Sequence, residues 1–419
     1  MKFKIKHFGP IVEGFTDHEY MDIRGVSLFI GSQGTGKSSV AKALSTLIWI
    51  EKALIRKDFT VKQLQSPGRF KSHFSFHNIK NYFQDTTELE YIGEVYRIHY
   101  KGEKDLSVAE VQRDADVYIP KIMYVPSERN LLSAYPKPTA LSGLVPSLTT
   151  FLEEYENAKH FLDSSVDLPI SSDTSFSYDR LNDTSSIIRK ENKTKLSEAS
   201  SGYQSIVPLF LVSRHLSNQL RNRVSVSELL NRNDWMSYMK VNMKRAMNMQ
   251  NELNMLFNRN LKSKKDEKAV QKLSEKLINR YIPSCFINIV EEPEQNLFPD
   301  SQIRIMFQLL SYMNFSEKNQ LIITTHSPYL INALSLAVAC RQASEKTDAE
   351  SNIRKKLSEI VPQHAWLAPD NYTVYKLDEL GNIFLLDSIE GLPSDDNDLN
   401  NYLGQFNDQF GDILELGEL

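Results

Sequence analysis

Along the first fifty residues the apolar positions change period twice, and each change marks a new element. Met1 to Phe8 alternates Lys with apolar residues (Phe3, Ile5) and contains His7, which predicts a strand. Val26-Ser27-Leu28-Phe29-Ile30 is nearly all apolar and predicts a second, buried strand. After the turn Gly31 to Gly36, residues Val40, Ala43, Leu44, Leu47 and Ile48 fall at helical spacing, so a helix begins near Lys37. Residues 70–118 alternate as short strands, for example from Tyr91 to Tyr100, and Lys101-Gly102-Glu103-Lys104 predicts a hairpin turn. Lys121 to Val125 is a further strand, stopped by Pro126. Residues 131–195 are rich in Pro, Ser, Thr, Asn and Asp, with weak periodicity apart from a helix near Leu148–Leu162, and read as a variable insertion. Residues 206–282 read as mostly helical, since neither Pro nor Gly occurs from 209 to 282. From 284 to 335 the order returns to strand, loop, helix, strand, turn, helix. No internal repeat of fixed period is apparent. The pattern predicts an α/β chain with a mixed or parallel core sheet and a helical insertion.

Length and charge sharpen this picture. With 419 residues, the chain is too long for one average domain and predicts two lobes or one core with insertions. Hydrophobic residues at 41% and charged residues at 24% exclude a wholly disordered chain. The net charge of −4 excludes a generally basic nucleic-acid binder, so any such contact is local. Residues 220–280 hold 14 Lys/Arg against 6 Asp/Glu, while the stretch after Trp366 holds 12 Asp/Glu against one Lys. Cys285 and Cys340 cannot staple a chain of this size or build a Cys-rich zinc site, and they point to a reducing compartment. No apolar run approaches 18 residues and no targeting segment is visible, so a cytoplasmic protein without a membrane span is expected.

Chemistry enters at Gly31-Ser32-Gln33-Gly34-Thr35-Gly36-Lys37-Ser38, which fits G-x-x-x-x-G-K-S between a buried strand and a helix. Glycines let the backbone turn tightly about a phosphate, and free N–H groups at a helix start favour an anion. Lys37 is placed to reach the β- and γ-phosphates of ATP, and the Ser38 hydroxyl to ligate Mg2+; Ser39 follows in the same nucleotide-binding set. A second apolar run, Phe286 to Val290, leads straight into Glu291-Glu292-Pro293-Glu294. Carboxylates at the end of a parallel strand lie where nucleotides bind. Glu291 takes the metal position, and Glu292 the base that orients or deprotonates water. Gln320 to Thr325 is a third such strand, followed by His326-Ser327-Pro328; His326 is placed to donate to the γ-phosphate or hold the attacking water. Ser200-Ser201-Gly202-Tyr203-Gln204 precedes an apolar helix, where Ser201 and Gly202 offer a hydroxyl and an unobstructed N–H to an anion, or simply an N-cap.

Taken together, these four pieces resemble the ABC-type ATPase head in the version found in RecF, SMC-like DNA-repair ATPases and OLD-family proteins. The resemblance covers roughly residues 1–130, 196–215 and 283–390. It implies lobes at 1–130 and 283–390, a variable insertion at 131–195, signature motif and basic helical segment at 196–282, and an acidic tail at 391–419. It implies a head-to-tail homodimer, or higher homo-oligomer, that sandwiches ATP and Mg2+. Ser201 and Gly202 of one chain would then face the γ-phosphate held by Lys37 of the other, with Asn296 to Pro299 in the dimer-crossing loop. There are departures from the pattern: Glu291 stands where transporter heads have Asp, Tyr203 replaces the second signature glycine, and Gln33 replaces a frequent Asn. The glutamine that senses Mg2+ in the family is not assignable. Tyr124-Val125-Pro126-Ser127-Glu128-Arg129-Asn130 falls near its place and is similar to a Pro-Ser-Glu-Arg element of this branch. Arg129 there is a phosphate or interface cation, or else half of a surface salt bridge.

The nearest context resembles ATPase subunits of bacterial anti-phage systems such as Septu and PARIS. That implies a switch or scaffold controlling a separate nuclease or toxin effector, since no nuclease module is visible in the chain. A RecF/SMC-like repair ATPase that loads on DNA is the alternative, with nucleic acid possible along 220–280. A transporter subunit fits least.

Overall fold

In a computed structural model of the chain, the three apolar strand runs lie side by side. The structure describes residues 1–102, 105–111, 118–221, 251–252, 255, 280–348 and 351–417. The basic segment 220–280 and its expected helices therefore lie largely outside the described residues.

The opening strands are β1 (Lys2–Phe8), β2 (Gly14–Phe15), β3 (Met21–Asp22) and β4 (Val26–Ile30). Helix α1 (Lys37–Ile55) follows the glycine turn, then the short helices α2 (Val61–Leu64) and α3 (Arg69–His73). Next come β5 (Phe83–Ile92), β6 (Tyr96–Lys101), β7 (Asp105–Glu110) and β8 (Pro120–Val125). Helices α4 (Leu131–Ala134) and α5 (Pro146–His160) lead to β9 (Val166–Asp167), β10 (Thr174–Asp179), β11 (Thr184–Arg189) and β12 (Asn192–Lys195). After α6 (Ser201–Arg221) the described chain resumes with β13 (Cys285–Glu291), α7 (Pro299–Met313), β14 (Gln320–Thr325), α8 (Pro328–Glu345) and α9 (Asn352–Ile360). It closes with β15 (Tyr372–Leu377), β16 (Asn382–Leu385), β17 (Ser388–Ile389), β18 (Leu392–Pro393) and α10 (Asp398–Gly417).

Seven strands form the central sheet in the order β2-β16-β15-β4-β14-β13-β8, and β15, β4, β14, β13 and β8 run parallel. Strands buried on both faces need apolar residues at nearly every position, which is what Val26 to Ile30 and Phe286 to Val290 supply. Alternation then sends neighbours to opposite layers. Leu28, Val290 and Ile323 pack with α5, α6, α7 and α8, whereas Phe29, Ile289 and Ile322 pack with α1 and the antiparallel sheet β3-β1-β5-β6-β7. Because β4 lies between β14 and β15, residues from both ends of the chain share one sheet.

The insertion 131–195 holds more order than its composition suggests. Besides α5 it forms a four-stranded antiparallel sheet, β12-β11-β10-β9, whose Phe176 and Ile187 enter the main core. The expected hairpin at 101–104 is flanked by paired strands, with Lys101 opposite Asp105. The acidic stretch after Trp366 is structured too: it supplies β15 and β16 to the central sheet and ends in α10. Both cysteines are buried, and neither forms a disulfide. Among the described residues, no helix is long and apolar enough to cross a membrane.

Candidate nucleotide-binding site

Strand register decides what meets at the carboxyl edge of the sheet. Ile30 pairs with Thr325, Thr324 with Glu291, and Val290 with Val125. The residues that follow, Gly31, His326, Glu292 and Pro126, therefore emerge at the same edge of four adjacent parallel strands, with Gly31 level with His326 and the other two stepped back by one residue per strand.

The glycine loop has the backbone its motif requires. Gly31, Gly34 and Gly36 have φ of 143°, 82° and 99°, values that side-chain-bearing residues avoid. A Cβ on Gly31 would lie 2.3 Å from the Leu377 carbonyl oxygen, whereas one on Gly34 would meet nothing within 4 Å, so the loop is open on that side. The N–H groups of Ser32, Gln33, Gly34, Thr35 and Gly36 donate to no acceptor among the described residues. Ser32, Gln33 and Gly34 are exposed, Thr35 and Ser39 are buried, and Ser38 is half-buried at the start of α1. Lys37 is buried and curls over the loop, where its Nζ donates to the carbonyl oxygens of Gly31 at 2.8 Å and Ser32 at 2.7 Å. Burial lowers its pKa to about 8, against the opposing pull of Glu292 and Glu294.

His326 bridges the loop and the acids. Its Nδ1 lies 3.4 Å from Lys37 Nζ, and its Nε2 lies 3.6 Å from Glu292 Oε1. The contact with His326 is the main cause that holds the Glu292 carboxyl below its ordinary pKa, so Glu292 is a carboxylate at neutral pH. Glu292 has φ of 44°, an uncommon value outside glycine. Its N–H donates to the Thr324 carbonyl at 2.8 Å, so the bend is fixed where the side chain turns toward His326.

Glu291, the candidate metal acid, is almost fully buried. It accepts a short hydrogen bond from the Tyr124 hydroxyl and one from the Ser127 N–H at 3.2 Å, and Lys42 Nζ lies 3.5 Å away. Lys42 is one turn beyond Ser38 on the same face of α1. A hydroxyl at Ser38 and a carboxylate at Glu291 are oxygen donors of the kind that Mg2+ takes, and Lys42 is the cation that an ion at Glu291 would have to displace.

Arg129 corrects the sequence expectation, because it is neither a phosphate-facing cation nor part of a surface salt bridge. It is fully buried. It donates to the carbonyl oxygens of Glu291 at 2.7 Å, Glu292 at 2.6 Å, Pro126 at 3.2 Å and Ser205 at 3.1 Å. Burial lowers its pKa to about 10, so it stays charged at neutral pH. One guanidinium thereby ties the acidic strand end to the loop after β8 and to α6. A planar fork with five donors suits this task, and a lysine could not span it.

Ser201 is exposed and Gly202 half-buried at the start of α6, and among the described residues no hydrogen bond or ion pair joins either to Lys37, Glu292 or His326. Gly202 instead packs on the loop after the acids. A Cβ there would sit 2.9 Å from the Asn296 carbonyl oxygen. Tyr203, where the family pattern has glycine, turns away and its hydroxyl lies 3.4 Å from Thr174 Oγ1 on β10.

Sequence reasoning assigned no role to Glu294 or Tyr124. Glu294 is half-buried beside His326, and its Oε1 accepts from the His326 N–H and the Thr325 hydroxyl, both at 2.7 Å. Burial raises its pKa, and its Oε2 has no partner among the described residues. The repeated acids of Glu291-Glu292-Pro293-Glu294 were the available signal for Glu294. Tyr124 gave none, because its partner lies 167 residues away.

No protein-family model matches the chain, and no curated protein matches it. Among solved structures it is similar to SMC head domains. One is an SMC head bound to the C-terminal winged-helix domain of ScpA (TM-score 0.33). Another is the SMC head from Thermotoga maritima (0.34), and a third is a Pyrococcus furiosus SMC head with an extended coiled coil bound to the C-terminal domain of ScpA (0.32). Each is 12% identical, over 79% of this chain and 90% of the other.

Proposed function

We propose that the chain binds ATP with Mg2+ and hydrolyses it in a site completed by a second copy. The observation that carries this reading is the meeting of Lys37, at the start of α1, with His326 and Glu292, which follow the adjacent parallel strands β14 and β13. Loop amides and Lys37 bind the phosphates. Ser38 and Glu291 would hold Mg2+, which would supply positive charge to the phosphates. Glu292 orients the water and takes its proton, while His326 sits between that carboxylate and Lys37 and holds the water or donates to the γ-phosphate. Arg129 and Glu294 keep Glu292 and His326 in position through the backbone. Ser201 lies exposed at a helix start, which supports a role for Ser201 and Gly202 across a head-to-tail dimer. We read the head as 1–130 and 283–390, with 131–195, 196–282 and 391–419 as additions to it.

The test is kinetic. Glu292→Gln removes charge and keeps shape, so it should bind ATP as the wild type does and lose turnover by a factor of at least about 100. Unchanged turnover would end the assignment of the base.

The wider role we infer is a switch or scaffold that controls a separate nuclease or toxin effector in bacterial anti-phage defence. It rests on the resemblance of the four motifs and on a chain with no visible nuclease module. Co-purification with the product of the adjacent gene tests it. The excess of Lys/Arg at 220–280 favours a second reading, a repair ATPase loading on DNA. Charge reversal at Lys264, Lys265 and Lys268 would then weaken binding for every DNA sequence alike and flatten its salt dependence.

A further inference from the structure

The last helix exposes an apolar stripe that no other described part of the chain covers. α10 starts on the core, where Leu399 packs against the main cluster, Asp398 pairs with Lys376 at 2.8 Å and Asn400 meets Asn332. Beyond that first turn it leaves the core, and nearly every described side chain from Asn401 to Leu416 is exposed. Tyr402 is 59% exposed, Phe406 71%, Phe410 64%, Ile413 64%, Leu414 55% and Leu416 70%. Tyr402, Phe406, Phe410 and Ile413 follow at spacings of four, four and three, which is one face of a helix.

Such a helix does not stand well alone. Gly404 and Gly411 interrupt it, and each costs about 1 kcal/mol relative to alanine in a helix interior. A lone helix of this length is marginal in water even with a good sequence. Both its stability and its exposed rings call for a partner surface.

Charge placement chooses among partners. The helix has no Lys or Arg, and Asp408, Asp412 and Glu415 form their own stripe at spacings of four and three. Asp408 lies about 200° around the axis from Phe406, at 100° per residue. The acids thus point away from the apolar face. A partner recognised through a basic rim would find them on the wrong side, whereas two copies of α10 would meet with their acids turned outward. The six exposed side chains offer roughly 600 Å² per chain, given about 150–250 Å² for each aromatic ring. Two copies would then bury about 1,200 Å², the lower end for a specific dimer.

We propose that α10 packs against the same helix of a second copy and joins two chains without nucleotide. This contact goes beyond the ATP-dependent pairing of heads and does not require it. Sedimentation equilibrium of the full chain, free of nucleotide and Mg2+, tests it. The wild type is a dimer at micromolar concentration, and the Phe406→Asp/Phe410→Asp chain is a monomer that still binds ATP. Asp408→Lys/Asp412→Lys, changed on the far face, remains a dimer. A monomeric wild type, or a dimer that survives Phe406→Asp/Phe410→Asp, overturns the proposal. Adding Glu292→Gln and ATP to the Phe406/Phe410 variant reads the head pairing separately: absence of a dimer there counts against the head reading and leaves the nucleotide-free result standing.

Discussion

Lys37 has two states that its surroundings separate. In the free protein its ammonium is buried, held by loop carbonyls, and has a pKa near 8. Phosphates of ATP would bring negative charge against it and raise that pKa again. Above pH 8, ATP binding should therefore draw a proton onto Lys37. Calorimetry in two buffers of different ionisation enthalpy should show net uptake at pH 8.5, and Lys37→Met should remove it. The same shift acts on folding, with the sign fixed by linkage. The unfolded chain holds the Lys37 proton more tightly, so stability conferred at this residue rises from about pH 8 toward the ordinary lysine value. Lys37→Met should flatten that rise. The residue itself was legible in the sequence, because a glycine loop is local chemistry. Its neighbours were less so. His326 could be placed beside Lys37, 289 residues away, only by assuming that β4 and β14 pair, and the bond from Tyr124 to Glu291 had no local mark at all.

At the scale of elements, Arg129 joins three of them. The loop after β8, the end of β13 and the start of α6 all direct backbone carbonyls at one buried guanidinium. Arg129→Met leaves those carbonyls without a charged donor in a site that excludes water. A loss of about 3 kcal/mol is expected, read as a lower urea midpoint. Arg129→Lys keeps the charge but not the fork and should recover only part of it. Gly202 gives a second, sharper test. Gly202→Ala forces a methyl against the Asn296 carbonyl oxygen, and overpacking of that kind costs about 1–3 kcal/mol. Turnover should fall with it, because Asn296 follows the acids by only a few residues. The sequence element Pro-Ser-Glu-Arg marks Arg129 but leaves a phosphate or interface cation and a surface salt bridge both open, since nothing local reports burial. The sheet β9 to β12 escaped notice for a related reason. Its strands are two to six residues long and carry Ser, Thr, Asn and Lys on the outer face. Only Phe176 and Ile187 betray an inner face, too few to establish a period of two.

At the scale of the molecule, the helix start at Ser201 makes no hydrogen bond or ion pair with the Lys37 loop of its own chain among the described residues. Lys37, Ser38, Glu292 and His326 gather on one edge, while Ser201 opens to solvent. If Ser201 and Gly202 act on the nucleotide of a second chain, two different broken chains should repair one another. Lys37→Ala chains lack phosphate binding but keep a sound Ser201. Ser201→Arg chains keep Lys37 but present a bulky cation across the interface. In a mixed pair, one site has both defects and the other has neither. With random pairing in a two-fold dimer, a one-to-one mixture should show about a quarter of wild-type turnover per chain, although each variant alone is inactive. The chains must be co-expressed, because a dimer held through α10 would exchange slowly. Turnover that stays at zero, with mixed pairs demonstrated by differently tagged chains, would mean that Ser201 serves its own protomer or none. The same experiment on the Phe406→Asp/Phe410→Asp background separates the two contacts. If α10 only tethers, recovery should persist there but depend on protein concentration, since the heads must then find each other through ATP alone.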